Sequence, residues 1–280
     1  MARNLVFMLA LTSLYIGLAA ADWNILNKKV TNGAASFLKS YCESWRINVE
    51  LNNIKGFEVV PQECVDFTKH YMKSSQYTAD SERAIEEARL YLSSCCSLEG
   101  DGKDAWIFYV DDTLLSTIPY FKKHGFGGEK LNATLLEAWM KQGKAPALDH
   151  TLKLFHEIKD KGVKIFLISS RSETLRSATV DNLINVGYHG WCSLILRYML
   201  SLSLFLSHTI FFFLVSLYNN YRGLEDDLMK VQQYKSEARQ RLIKEGYRIW
   251  GITGDQWSSV EGLPAAKRTF KLPNSMYYLS

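Results

Sequence analysis

Several separated places in this sequence end an apolar run with side chains that can handle phosphate. Asp111, Asp112 and Thr113 follow the strand-like "AWIFYV"; Ser169, Ser170 and Arg171 follow "VKIFLI"; Asp255 follows "GITG"; Lys235 lies between the last two, in "KVQQYKSEARQ". Taken singly, each has an ordinary reading: Asp111 and Asp112 as helix caps, Lys235 as a surface charge. Taken in order they form the set that phosphoryl transfer needs. One acid attacks phosphorus and a second protonates the leaving oxygen. A hydroxyl and a lysine hold the phosphate oxygens, and carboxylates hold a hard cation such as Mg²⁺. One residue is out of place. Tyr109 stands at the end of the first apolar run, where such a site needs its attacking acid.

The elements that must position these residues alternate. "AWIFYV", "VKIFLISS", "CSLILR" and "YRIWGITGD" read as strands; "DHTLKLFHEIKDKG", "SETLRSATVDNLINVG" and "DDLMKVQQYKSEARQRLIKEG" read as amphipathic helices, ended by Gly162, Gly187 and Gly246. Strands alternating with helices predict an α/β fold, a parallel sheet with helices on both faces. Such sheets bind ligands at the carboxyl ends of their strands. Upstream, "DSERAIEEARLYLSSC" reads as a helix capped by Asp80 or Ser81, within a helical extension spanning residues 22–100.

The chain has 280 residues, 47% hydrophobic and 22% charged, enough to bury a sizeable core. A net charge of +4, scattered among acids, gives no footing for nucleic acid. "MARN", the apolar "LVFMLALTSLYIGLA" and the small residues Ala19 and Ala21 read as a cleaved signal peptide over residues 1–21. That places the chain in the secretory route, bound for the cell wall, the extracellular space or the vacuole. In that oxidising route the five cysteines, an odd number, predict one or two disulfides, with the pairing open. Asn132-Ala133-Thr134 is a glycosylation sequon.

The motif order resembles the haloacid dehalogenase superfamily: an apolar strand with D-x-D-x-T, a strand-end Ser or Thr, a helical Lys, and G-D with a further acid. It is closer still to the plant acid phosphatases of class B type and their relatives, the vegetative storage proteins. "DDTLLSTIPYFKKHGFG", "GDQWSS" and "RTFKLPNSMYY" carry that likeness. The resemblance implies a haloacid dehalogenase-like domain over residues 101–280, with a small helical cap within 116–148 that shapes specificity. It implies hydrolysis of a phosphomonoester assisted by Mg²⁺. Asp111 would be the general acid/base, its main-chain carbonyl also facing the metal. Ser169 would hold phosphate, Lys235 would neutralise charge, and Asp255 would be a metal ligand. A homodimer or heterodimer belongs to the same expectation. The sequence departs from the family at two acids. The nucleophile position holds Tyr109, and the acid four residues beyond Asp255 is Ser259. A phenol is protonated near neutral pH and cannot chelate a cation bidentately, so the expectation is an impaired enzyme or, alternatively, an inactive storage protein of the same fold.

Residues 198–222, "YMLSLSLFLSHTIFFFLVSLYNNYR", interrupt this pattern. The stretch is long and apolar enough to cross a bilayer. A single crossing would, however, part "SLILR" from Lys235, so no stable membrane span is expected. Codons AGG-TAT at Arg197-Tyr198 and TAT-AGG at Tyr221-Arg222 would carry a GT donor and an AG acceptor. The expectation is a translated, retained intron.

Overall fold

The computed structural model describes residues 34–94, 96–197 and 230–279. The signal segment and residues 198–222 lie outside the described residues. The chain divides into two compact units, Met1–Leu38 and Lys39–Ser280. Helix α1 (Ala34–Glu50) runs across that boundary, and everything described below belongs to the second unit.

Five parallel strands make the sheet: β1 (Asp104–Tyr109), β2 (Lys164–Ser172), β3 (Ser193–Arg197), β4 (Arg248–Gly254) and β5 (Arg268–Lys271), in the order β3-β2-β1-β4-β5. β1 is central and its six residues are all buried. Its side chains alternate between two cores, as the pleat requires. Trp106 and Phe108 join Ile85 and Leu92 of α3 (Ser75–Ser94) and Leu154, Phe155 and Ile158 of α6 (Asp149–Asp160). Ala105, Ile107 and Tyr109 join Tyr234, Ala238 and Leu242 of α8 (Val231–Lys244) on the opposite face. Burying each large apolar side chain contributes roughly 1.5–3 kcal/mol.

Close packing at the centre demands one glycine. A Cβ on Gly251 of β4 would lie 2.4 Å from the Trp106 ring. That bare backbone lets the indole lie flat beside β4 and donate to Thr253 Oγ1 at 3.0 Å.

A third cluster roofs the carboxyl ends of the strands. It joins Tyr71 and Met72 of α2 (Val65–Met72), Tyr120 and Phe121 of α4 (Ile118–Phe121), and Met276. α5 (Ala133–Met140) follows, and α7 (Arg176–Asn185) and α9 (Trp257–Val260) complete the helices used here. Among the described residues no helix is long and apolar enough to cross a membrane.

Two local expectations change. α3 begins at Ser75, so Asp80 and Ser81 lie inside it. Asp80 accepts from Tyr71 Oη at 2.7 Å, and Ser81 donates to the Tyr77 carbonyl at 2.8 Å; both are bonded within the fold instead of capping. β5 went unread because "RTFK" is short, polar and at the sheet edge. Cys42 and Cys64, both fully buried, form a disulfide that ties α1 to the turn before α2.

That link closes a separation of 22 residues. A loop of this length constrains the unfolded chain by about 3 kcal/mol. Replacing Cys42 and Cys64 together by alanine should lower the chemical-denaturation midpoint by that equivalent. An unchanged midpoint would show that the link carries no stability.

Candidate active site

β1 delivers the first motif. Past Tyr109 the chain turns tightly: the amides of Leu114 and Leu115 both donate to the Val110 carbonyl at 2.9 Å. Asp112 sits in this turn at φ +46°. A short polar residue tolerates the left-handed region because it can bond locally, and Asp112 Oδ1 accepts from the Thr117 amide at 2.8 Å.

The structure gathers the residues expected from sequence around one small polar cup. Tyr109, Asp111, Ser169, Lys235, Asp255 and Ser259 all line it. Asn132 does not join them. It is exposed and caps α5 through Oδ1, which accepts from the Leu135 amide at 3.1 Å.

Lys235 is buried, with Nζ 2.7 Å from Ser259 Oγ and 3.3 Å from Ser258 Oγ. Burial pulls its ammonium down to about 8, against the pull of Asp255 and Asp111. The same Nζ stands 4.7 Å from the centre of the Tyr109 ring. Asp111 is held from the other side. Arg171 Nη2 and Nε donate to its Oδ1 at 2.7 and 3.1 Å, and Ser169 Oγ donates to Oδ2 at 3.4 Å. The Asp111 carboxylate is thus paired with the buried Arg171 guanidinium.

Tyr109 points into the α8 core. Its Oη accepts from Arg239 Nη1 at 2.9 Å, and burial pushes the phenol up to about 12. Arg239 is itself fully buried. Its other donors go to the carbonyls of Ser259, Glu261, Gly262 and Pro264 and to Ser236 Oγ. Gly254 makes room: a Cβ there would lie 2.9 Å from both Tyr109 Cδ2 and Ser259 Cβ. With the ring in place the cup holds about 30 Å³, roughly the liquid volume of one water.

Asp255 lines the cup and shares its partners with Asp112, which is fully buried and does not line it. Asn274 Nδ2 donates to Asp255 Oδ2 at 2.8 Å, and Gln256 Nε2 donates to the same oxygen at 2.9 Å. The Tyr277 hydroxyl lies 2.7 Å from Asp112 Oδ2 and 3.2 Å from Asp255 Oδ2. Burial, then the nearby charge of Asp255, raises Asp112 to about 7. Sequence reasoning gave no role to Arg171, Arg239, Asn274 or Tyr277. Arg171 stood beside a named residue. Arg239, Asn274 and Tyr277 reach Tyr109 or Asp112 across more than a hundred positions in sequence; the last two lie in "RTFKLPNSMYY", which carries the family likeness without giving either a role.

A hard cation takes several oxygens, carboxylates foremost. Here Asp255 has its Oδ2 held by two amides and a phenol, Asp112 accepts from Thr117 and Tyr277, and Asp111 is paired with Arg171. Positions 109 and 259 supply a buried phenol and a serine bound by Lys235. Among the described residues no three His, Cys, Asp or Glu side chains are grouped to hold a metal ion. The donors present do not fit Mg²⁺.

The model of the HAD superfamily, subfamily IIIB (acid phosphatase), matches residues 26–202 and 220–280. The break between the two segments falls within 198–222. Acid phosphatase 1 of Solanum lycopersicum is 40% identical over 238 residues, covering 85% of this chain and 83% of that protein. The stem 28 kDa glycoprotein of Glycine max is also 40% identical, covering 85% and 84%. Vegetative storage protein 1 of Arabidopsis thaliana is 36% identical, covering 85% and 78%. The class C acid phosphatase from Bacillus anthracis, solved with tungstate bound, shares the fold at a TM-score of 0.57. It is 17% identical and covers 76% of this chain and 85% of its own. HAD-superfamily acid phosphatases generally use a divalent metal. The chain belongs to the acid phosphatase family of the HAD superfamily, which it shares with the plant vegetative storage proteins.

Proposed function

We propose that this protein keeps the acid phosphatase fold with its covalent chemistry switched off, and serves as a reserve protein of the secretory route. The observation that carries this reading is the direction of Tyr109. In the family route residue 109 would attack phosphorus; here its oxygen is bound to Arg239 inside the α8 core, and its ring narrows the cup. The general acid is likewise engaged, through Arg171. Asp111, Ser169 and Lys235 are then relics of phosphomonoester hydrolysis held in place by packing. A relative named as a vegetative storage protein supports the reserve role.

The test is hydrolysis of 4-nitrophenyl phosphate at acid pH. Wild-type protein should show no turnover above the Lys235→Met background. Tyr109→Asp combined with Ser259→Asp, assayed with Mg²⁺, should gain roughly 100-fold or more, as a restored nucleophile and metal-site acid would supply. Wild-type turnover abolished by Asp111→Asn or Lys235→Met would overturn the reading.

If Tyr109 is now a packing residue, Tyr109→Phe should leave turnover absent. It should also cost about 1–3 kcal/mol in denaturant unfolding, because Arg239 loses a buried acceptor. No loss of stability would refute the packing role.

Passage through the secretory route predicts a glycan on Asn132, whose exposed position leaves Nδ2 uncommitted while Oδ1 caps α5. Protein made in plant cells should shift on glycosidase treatment. Thr134→Ala, which spares the cap, should remove that shift; no shift in wild type would count against the glycan.

A further inference from the structure

A groove of about 220 Å³ lies between the loop after α1, the stretch before α5 and Tyr277 and Tyr278. Tyr277 and Leu131 also wall the separate space of about 180 Å³ under the cap, but Asp111, Ser169, Lys235 and Asp255 do not line the groove. Two partly exposed rings shape it. Phe57 and Tyr278 stand 6.0 Å apart between ring centres, with their planes at 55°, so they form an open V. Neighbouring rings brace these walls. Phe57 meets the buried Trp45 in an edge-to-face contact at 5.3 Å, and Tyr277 stacks on the buried Phe121 at 5.1 Å. Rings held this way have little freedom left to lose when a ligand lies on them. At the rim Lys130 Nζ donates to Glu58 Oε2 at 3.0 Å, with side chains 74% and 71% exposed. So exposed a pair contributes little by itself and yields readily to a ligand. One carboxylate and one ammonium line the groove, so no net charge draws an ion to it.

We infer that this groove is a binding site for one neutral pyranose ring with equatorial hydroxyls, as in a β-glucoside. With its hydroxyls equatorial, such a ring presents flat C–H faces, the kind of apolar surface that an aromatic side chain covers. The V takes one face on one ring and an edge on the other. Neighbouring hydroxyls donate to Glu58 and accept from Lys130 together, so the pair is met without being unbalanced. The volume falls below the roughly 300–1,000 Å³ of sites for drug-sized ligands and suits a single sugar unit. The inference is independent of the loss of hydrolysis, since it uses none of the residues that would hold phosphate.

Ligand-observed NMR titration of the full chain with methyl β-D-glucopyranoside should find one site of millimolar strength, as befits so small a ligand. Choline and the corresponding glucuronate engage one member of the ion pair and leave the other unmatched. Each should bind about fivefold or more weakly than the glucoside. Methyl α-D-mannopyranoside, whose two axial oxygens break the flat faces, should be weakened to a similar degree. Glu58→Gln, at the exposed rim, should weaken glucoside binding about tenfold, the scale of a hydrogen bond to a charged group. Tyr278→Ala should cost about tenfold through the lost ring contact, and Tyr278→Trp should retain binding. Absence of glucoside binding would overturn the inference. So would any of the three control ligands binding as tightly, or binding untouched by both Glu58→Gln and Tyr278→Ala.

Discussion

A guanidinium buried among carbonyls, Arg239, fixes the character of this site. Its donors stitch α8 to the loop after β4, and one of them reaches Tyr109 Oη. A buried arginine is tolerable only when its donors are met, so the loop, the helix and the tyrosine hold one another. The ring of Tyr109 then lies over Gly254 and beneath Lys235, and both Tyr109 and Lys235 line the cup. Tyr109 thereby gives the interior a hydrogen-bonded contact between β1 and α8.

Much of this was readable in the chain. Strand and helix patterning placed β1 to β4 and the helices between them, because buried parallel strands are near-continuous apolar runs and helices carry a 3.6-residue period. Motif order placed Asp111, Ser169, Lys235 and Asp255 at one rim, and the structure sets all of them around one cup. The direction of Tyr109 was not readable. Residue spacing put it at the nucleophile position, but only the three-dimensional fold brings Arg239 to its hydroxyl. The pairing of Asp111 with Arg171 was hidden for the same reason: each residue was noted, and their contact spans two strands.

The same geometry separates charge from volume. Lys235 and the serines stay with the small cup, while the room lies under the cap beside saturated charges.

Asn274 and Tyr277 carry a different consequence. They reach Asp112 across 162 and 165 positions of sequence. Contacts of that span close late, after the entropy of a long loop has been lost. Until they arrive, Asp112 and Asp255 face each other without the amide and phenol that satisfy them. β1 and β4 pair across a similar reach, Asp104 beside Arg248, so the centre of the sheet and this wall of the site depend on contacts of the same kind.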